Sequence, residues 1–189
     1  AGSVQDASDT YFGGGNVNIY EGDYVSFTTV NATWSGIYQD TPCEAGQIFT
    51  GDFWVYNASG DPIPAGNLNC YLEIQFRNAS DQVIVQHISD GFSNNIPSDT
   101  WINIKANKGG DYTQVSAPKP ADGPYLVAPA DTTKVRFQLT LNDVDNVLSG
   151  AGSIYYDSGS LLLKLPVELT ITDTVGGVDV SWDSQGATD

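Results

Sequence analysis

The sequence predicts an all-β fold, and composition, strand periodicity and turn signals each support that prediction. The 189 residues include 20 Gly and 9 Pro, are rich in Thr, Val and Tyr, and contain hardly any run of helix formers. Residues 135–142 alternate strictly between apolar and polar side chains, as a strand with one buried face does. Clusters of Gly, Pro, Asn and Asp separate the apolar runs. The length suits one domain with a short appendage.

The predicted strands follow a polar, Gly-rich lead-in over residues 1–15, which we expect to be poorly ordered. They span residues 17–20, 24–30, 35–40, 47–57, 70–77, 82–88, 101–106, 135–142 and 154–165. A loop over residues 107–124 interrupts them, and such a long connection is uncommon unless it is functional or mobile. We therefore assign residues 16–165 to one β domain.

The pattern changes in residues 166–189. Two alternating runs on either side of Gly176 and Gly177 predict a hairpin, which resembles the opening strands of a fibronectin-type or immunoglobulin-like domain. Two interpretations stay open. In the first, the hairpin begins a following domain or linker, and the chain belongs to a larger modular protein with covalently linked neighbouring domains. In the second, the hairpin completes the sheet of the first domain.

The charge balance narrows the class of partner. The chain has 23 acidic against 7 basic residues and a formal net charge of −16. Such a surface repels phosphate backbones and anionic lipids, so we expect neither nucleic acid nor membrane as a partner. It also disfavours sulfated or carboxylated glycans, and a neutral polysaccharide fits best. The alternative is that the acidic surface only keeps an exported protein soluble. We expect a monomer that is secreted or located at the cell surface.

The two cysteines, Cys43 and Cys70, invite a disulfide in an exported domain. The predicted strands place them near opposite ends of the sheet. A strand of this length covers about 30 Å, whereas a bridge requires Cα atoms about 6 Å apart. We therefore favour the absence of a disulfide, in which case both cysteines can be buried free thiols, and the bridge stays open as the alternative.

Two of the predicted strands carry polar faces that suit ligand binding. Gln138, Asn142 and Arg136 share one face of the strictly alternating strand, and Glu73 and Gln75 share one face of an earlier strand. Amide donors and acceptors on a flat strand face can meet the hydroxyl groups of a sugar, so these residues are candidate ligand contacts. The alternatives are a solvated strand face and, for Arg136, an ion pair with Glu73.

Sugar recognition also needs an aromatic side chain on which a pyranose ring can pack. Trp34 is the best candidate, because it precedes a strand in a polar context. Tyr125, Phe92 and Tyr112 lie in predicted loops and are second choices.

A set of ordered motifs resembles a known family. Residues 35–57 contain Gly-Ile-Tyr-Gln, a following Gly and Trp-Val, and further matching pieces follow at residues 72–78, 99–102, 128–137 and 154–157. Over roughly residues 11–165 the chain resembles carbohydrate-binding modules of the family 4, 9, 16 and 22 group, with family 16-like members closest. The resemblance implies a two-sheet antiparallel β-sandwich of the jelly-roll kind, which binds glycan along a groove or concave face and holds a structural calcium ion.

The resemblance also implies roles for particular residues. Gln138 matches a sugar-contacting Gln of related modules, whereas Trp54 and Trp101 match positions that are usually packed inside. Asp157 matches a calcium ligand of the family, and an ordinary turn Asp is the alternative. Independently of the resemblance, Glu21 and Asp23 lie in a tight Gly turn and are weaker candidates for calcium ligands. The chain departs from the family pattern in lacking its opening Asn-Gly-x-Phe-Glu segment and in keeping only the first carboxylate of the closing Tyr-Phe-Asp-Asp pattern.

Catalysis is not expected. The single histidine, His87, lies in a strand pattern, and nothing marks a nucleophile elbow or a His-rich metal site. We predict a non-catalytic polysaccharide-binding module that targets a larger secreted enzyme to its glycan. The alternatives are a structural or adhesive spacer domain of a surface protein and a jelly-roll polysaccharide lyase.

Overall fold

A computed structural model describes residues 2–6, 20–21, 24–29, 34–63, 68–92, 95–143, 152–164, 168–174 and 177–183. These residues form thirteen strands and no helix. The strands are β1 Gly2–Asp6, β2 Tyr24–Thr29, β3 Trp34–Pro42, β4 Ile48–Asn57, β5 Leu68–Arg77, β6 Val83–Ile88, β7 Trp101–Lys105, β8 Lys108–Gly109, β9 Leu126–Val127, β10 Lys134–Asp143, β11 Ser153–Lys164, β12 Glu168–Thr174 and β13 Gly177–Asp183. A helix that could cross a membrane is therefore absent from the described residues.

The strands form two antiparallel sheets that pack face to face. The first sheet has the order β1-β2-β11-β4-β7, with β9 beside β4, and the second has the order β3-β10-β5-β6-β8. Strands far apart in the sequence are neighbours, since β10 pairs with both β3 and β5. The prediction of an all-β, two-sheet antiparallel sandwich is confirmed.

The main core lies between the sheets and is built from alternate residues of their strands. Its fully buried side chains include Val55, Leu72, Ile74, Phe76, Leu126, Val135 and Ile154. In β10 the predicted alternation is confirmed, because Val135, Leu139 and Leu141 all face this core. The residues between them therefore point to the outer side of the second sheet, where the candidate site lies.

A smaller aromatic cluster lies on the outer side of the first sheet. Tyr56 is buried in it, and Trp101 packs against Tyr56 with ring centroids 5.1 Å apart. Trp54 stacks on Tyr20 at 4.1 Å. The prediction that both tryptophans lie in the main core is wrong. Val55 takes the inward position beside Trp54, so Trp54 is left on the outer side.

The two ends of the chain differ from the sequence prediction in one respect. Gly2–Asp6, expected to be part of an unstructured lead-in, is edge strand β1 and pairs with β2 over its whole length. Backbone hydrogen bonds hold this strand, and side-chain composition does not reveal them. The rest of the lead-in and residues 17–19 lie outside the described residues. At the other end β12 and β13 form a separate two-stranded sheet, which agrees with the predicted hairpin.

Both cysteines are buried free thiols, which agrees with the favoured alternative of no disulfide. Cys43 lies just after β3, and burial raises the pKa of its thiol to about 11. Burial also raises the pKa of Cys70 well above its ordinary value. Both side chains therefore belong to the core as small apolar groups.

Candidate functional site

A groove of about 420 Å³ lies on the outer face of the second sheet. Its lining comes from β5, β6, β10 and the loop after β8, and consists of Tyr71, Glu73, Gln75, Arg77, Gln86, Tyr112, Arg136 and Gln138. The strand residues reach the groove because their neighbours in the sequence occupy the core. The groove is therefore floored almost entirely by polar side chains.

The carboxylate of Glu73 organises the floor of the groove, although the residue is only 3% exposed. Its Oε1 accepts hydrogen bonds from the side-chain amides of Gln75 and Gln86. Its Oε2 accepts from the Thr140 hydroxyl at 2.9 Å and from Nε2 of Gln138 at 3.4 Å. Hydrogen bonds to a buried charge are strong, so one carboxylate holds three amides in fixed positions.

The loop that follows β8 closes one side of the groove. The amide N–H of Gly110 donates to the Gln86 carbonyl at 2.8 Å, and the N–H of Tyr112 donates to Oε1 of Gln86 at 3.2 Å. A Cβ atom at Gly110 would lie 2.7 Å from that same Oε1, so any larger residue there would push on the Gln86 side chain. The Tyr112 ring is 49% exposed at the rim. The long loop predicted over residues 107–124 thus supplies one wall of the groove.

Arg136 lies at the opposite rim and is held by two neighbours. Its Nε and Nη2 donate to the two carboxylate oxygens of Asp40 at 2.7 and 2.9 Å, and its guanidinium carbon lies 3.9 Å from the ring centroid of Tyr38. This bidentate contact lowers the pKa of Asp40. The proposed ion pair between Arg136 and Glu73 is therefore wrong, because cross-strand register places Asp40 opposite Arg136.

The other cations beside the groove are also paired. Lys134 contacts Asp81 at 2.6 Å and Asp40 at 3.2 Å, and Nε of Arg77 contacts Asp81 at 2.8 Å. Lys134 and then Arg77 lower the pKa of Asp81 to about 2. A further Arg77 nitrogen donates to the Gln75 side-chain oxygen. Each of these three cations, Arg77, Lys134 and Arg136, thus has a carboxylate partner.

Three of the predicted ligand residues, Glu73, Gln75 and Gln138, meet at the floor of the groove, and Arg136 lies at its rim. Sequence reasoning missed four neighbours on the same face, which are Tyr38, Tyr71, Arg77 and Gln86. Strand alternation could have found Tyr38, Tyr71 and Arg77, because each has an apolar, inward-facing neighbour in its strand.

Of the remaining predicted candidates, Asn142, Tyr125 and Phe92 do not line the groove. Asn142 lies further along β10, where its Cα is paired with those of Trp34 and Asn69. Trp34 begins β3, and its side chain lies outside the described part of the structure. Tyr125 is 63% exposed but precedes β9, which belongs to the other sheet. Phe92, a second choice as a stacking surface, is buried in the main core.

Two of the three predicted calcium ligands lie side by side. The Glu21 N–H donates to Asp157 at 3.1 Å, while Ser158 donates through its N–H to Asp157 at 2.6 Å and through its hydroxyl to Glu21 at 2.7 Å. Asp23 lies outside the described residues. Calcium takes six to eight oxygen ligands, and within the described ranges no group of three or more His, Cys, Asp or Glu side chains is placed to hold a metal. The calcium site at Asp157 stays a prediction.

Comparison with known proteins finds similarity in structure but not in sequence. No protein-family model matches the chain, and no curated protein is significantly similar to it. A solved structure of carbohydrate-binding modules from the beta-sandwich superfamily matches with a TM-score of 0.50 and 14% identity, over 86% of this chain and 53% of that one. This chain therefore shares the β-sandwich fold of that structure. At so low an identity the likeness concerns the fold alone, and the chain spans about half the length of that structure.

Two further structures match at a TM-score of 0.48 over 86% of this chain. One is TmCBM61 in complex with beta-1,4-galactotriose, at 12% identity and covering 82% of that chain. The other is the enzymatically active domain of tailspike protein 4 from bacteriophage CBA120, at 14% identity and covering 18% of that chain.

Proposed function

We propose that this chain is a non-catalytic polysaccharide-binding module and that its glycan lies in the groove over Glu73. The observation that carries the proposal is the floor of the groove, where one buried carboxylate fixes the amides of Gln75, Gln86 and Gln138. Fixed amides lose little entropy when they bind hydroxyl groups, so a polar floor of this kind favours a sugar over an apolar ligand. The fold, shared with carbohydrate-binding modules, supports the same function.

The exposed tyrosines at the two rims complete the proposed binding surface. Tyr112 is 49% exposed on the loop side, and Tyr38 is 58% exposed on the β3 side, where Arg136 holds its ring. Pyranose rings can pack on such aromatic faces while their hydroxyl groups face the amides between them. We assign the stacking role to these two residues rather than to Tyr125, which lies with the other sheet.

We propose a neutral glycan. The three cations beside the groove, Arg77, Lys134 and Arg136, already contact Asp40 and Asp81. An anionic sugar would have to displace one of those carboxylates, and the net charge of −16 would oppose its approach. Weak binding, in the micromolar to millimolar range, is expected from so few contacts.

We propose further that the module is exported as part of a larger protein and that it holds a neighbouring enzyme on its polysaccharide. Binding of this kind acts by raising the local substrate concentration. A monomeric module suffices for it, and a calcium ion at Asp157 and Glu21 would stabilise the scaffold.

The test is affinity electrophoresis of the whole chain through gels that contain neutral or acidic polysaccharides. We expect a neutral polymer to retard the unmodified protein. Tyr112→Ala and Gln138→Ala should lose that retardation, whereas the control Tyr125→Ala should keep it. Thermal unfolding must show that both groove variants stay folded. Absence of retardation by every polymer would favour the spacer function, and release of unsaturated, ultraviolet-absorbing product would identify a lyase.

A further inference from the structure

A second cavity lies between β11 and β3, the edge strand of the second sheet. Its larger part has a volume of about 320 Å³ and its smaller part about 220 Å³, and Gln39, Phe137 and Gly159 line both parts. We call this continuous cavity the side cleft. Its volume falls within the range of small-ligand sites. Its apolar walls come from both sheets and consist of Phe49, Phe53, Phe137, Leu161 and Leu163.

Two polar residues occupy core-facing positions of β3 beside the side cleft. Gln39 is paired with Phe137 and Thr41 with Val135, and directly paired residues of antiparallel strands point to the same side. Val135 is fully buried in the main core, and Phe137 packs against that core. A polar residue at a core-facing position is an exception that indicates a function. Because Gln39 and Thr41 are exposed, they place an amide and a hydroxyl group at the mouth of the cleft.

The side cleft is lined without any charge, although the chain has 23 acidic and 7 basic residues. No Asp, Glu, Lys or Arg of the described ranges lines either part of it. A third polar side chain, Gln47, has a fixed orientation, because its Oε1 accepts the Glu44 N–H at 2.9 Å. A charged ligand would lose its hydration here without gaining a partner of opposite charge. The lining therefore selects a neutral ligand.

The walls of the side cleft decide between a sugar and an aromatic ligand. The rings of Phe53 and Phe137 are stacked with centroids 4.8 Å apart, and Leu163 is 44% exposed. A sugar would bury hydroxyl groups against walls that offer no side-chain donor or acceptor, whereas an aromatic ring packs favourably on such walls. The three polar side chains of the lining suit the one or two polar groups that such a ring carries.

We propose that the side cleft binds a neutral phenolic group. Its ring lies against Phe137 and Leu163, and its hydroxyl or carbonyl oxygen faces Gln39 and Thr41. The site is separate from the groove over Glu73, although Tyr38 borders both. The experiment must therefore distinguish the two sites.

The test is calorimetric titration of the whole chain with ethyl 4-hydroxybenzoate, a neutral phenolic ester, and with 4-hydroxybenzoate, the corresponding carboxylate. We expect the ester to bind, and the carboxylate to bind about tenfold more weakly or less. Leu163→Asp should weaken ester binding by about tenfold or more, because it places a charge in the apolar cleft. Leu162→Asp is the matched control, because Leu162 is 52% exposed on the opposite face of β11. It should bind the ester as the unmodified protein does.

Thermal unfolding checks that both leucine variants are folded. If Leu163→Asp does not fold, Thr41→Trp replaces it, because a large ring at this exposed position fills the mouth and should cause the same loss. The proposal is overturned if the ester does not bind, if Leu162→Asp and Leu163→Asp lose equal affinity, or if methyl β-glucoside competes with the ester for the cleft. Tyr112→Ala should keep ester binding, and Leu163→Asp should keep any retardation by neutral polysaccharide. Failure of this site is therefore distinguishable from failure of the proposed glycan groove.

Discussion

Replacing Glu73 by glutamine should destabilise the protein strongly, although the two side chains have nearly the same shape. The carboxylate accepts four hydrogen bonds, two at each oxygen. The substituted amide keeps one oxygen but turns an NH₂ group toward the two donors that faced the other oxygen. Hydrogen bonds to a charged group contribute about 1.5–3 kcal/mol each. The variant loses two of these bonds, and the rotatable Thr140 hydroxyl can relax in part. We therefore expect the free energy of unfolding to fall by about 3 kcal/mol.

The assay for this prediction is thermal unfolding of Glu73→Gln beside Glu44→Gln. For a chain of this size a loss of about 3 kcal/mol corresponds to a fall in Tm of about 6–12 °C. Glu44→Gln makes the same change of charge, but Glu44 is exposed. The free energy of unfolding of this control should therefore lie within about 0.5 kcal/mol of that of the unmodified protein. If both variants unfold at the same temperature, the carboxylate does not organise the groove and the reasoning fails. Glu73→Gln should also lose retardation by the neutral polysaccharide while it is still folded.

Two further predictions concern pH and the loop after β8. Burial lowers the pKa of His87 from its ordinary value of 6.5 to about 4, so the unfolded chain takes up the proton first as the pH falls. The free energy of unfolding should therefore be unaffected by this group above pH 6.5 and should fall by roughly 3 kcal/mol between about pH 6.5 and 4. Chemical denaturation at several pH values should show a smaller fall in His87→Leu, and equal falls in both proteins would contradict the assignment. Gly110→Ala should lower the free energy of unfolding by about 1–2 kcal/mol and weaken glycan binding, because the new methyl group pushes on Gln86. The control Gly123→Ala adds a methyl group that meets no atom within 4 Å, and an equal loss in the two variants would argue against a steric origin.

The sequence alone determined which face of its strand each residue occupies in the best-patterned strands. Successive side chains of a strand point to opposite faces, so an apolar series such as Leu72, Ile74 and Phe76 leaves Glu73 and Gln75 on the other side. The same rule correctly placed Gln138. It was not applied to Trp54, which was assigned from the family resemblance to the core, although Val55 is the inward residue there.

Only the tertiary structure decided which residues meet across strands. The pairing of β10 with β3 and β5 joins segments far apart in the chain, and such non-local register leaves little local signal in the sequence. It placed Asp40 rather than Glu73 beside Arg136, and it left Asn142 beyond the groove. The sequence by itself therefore determined the all-β sandwich, the polar face and the acidic surface, because each depends on composition and on a period of two. The groove over Glu73 exists only after folding, because it depends on contacts between distant segments.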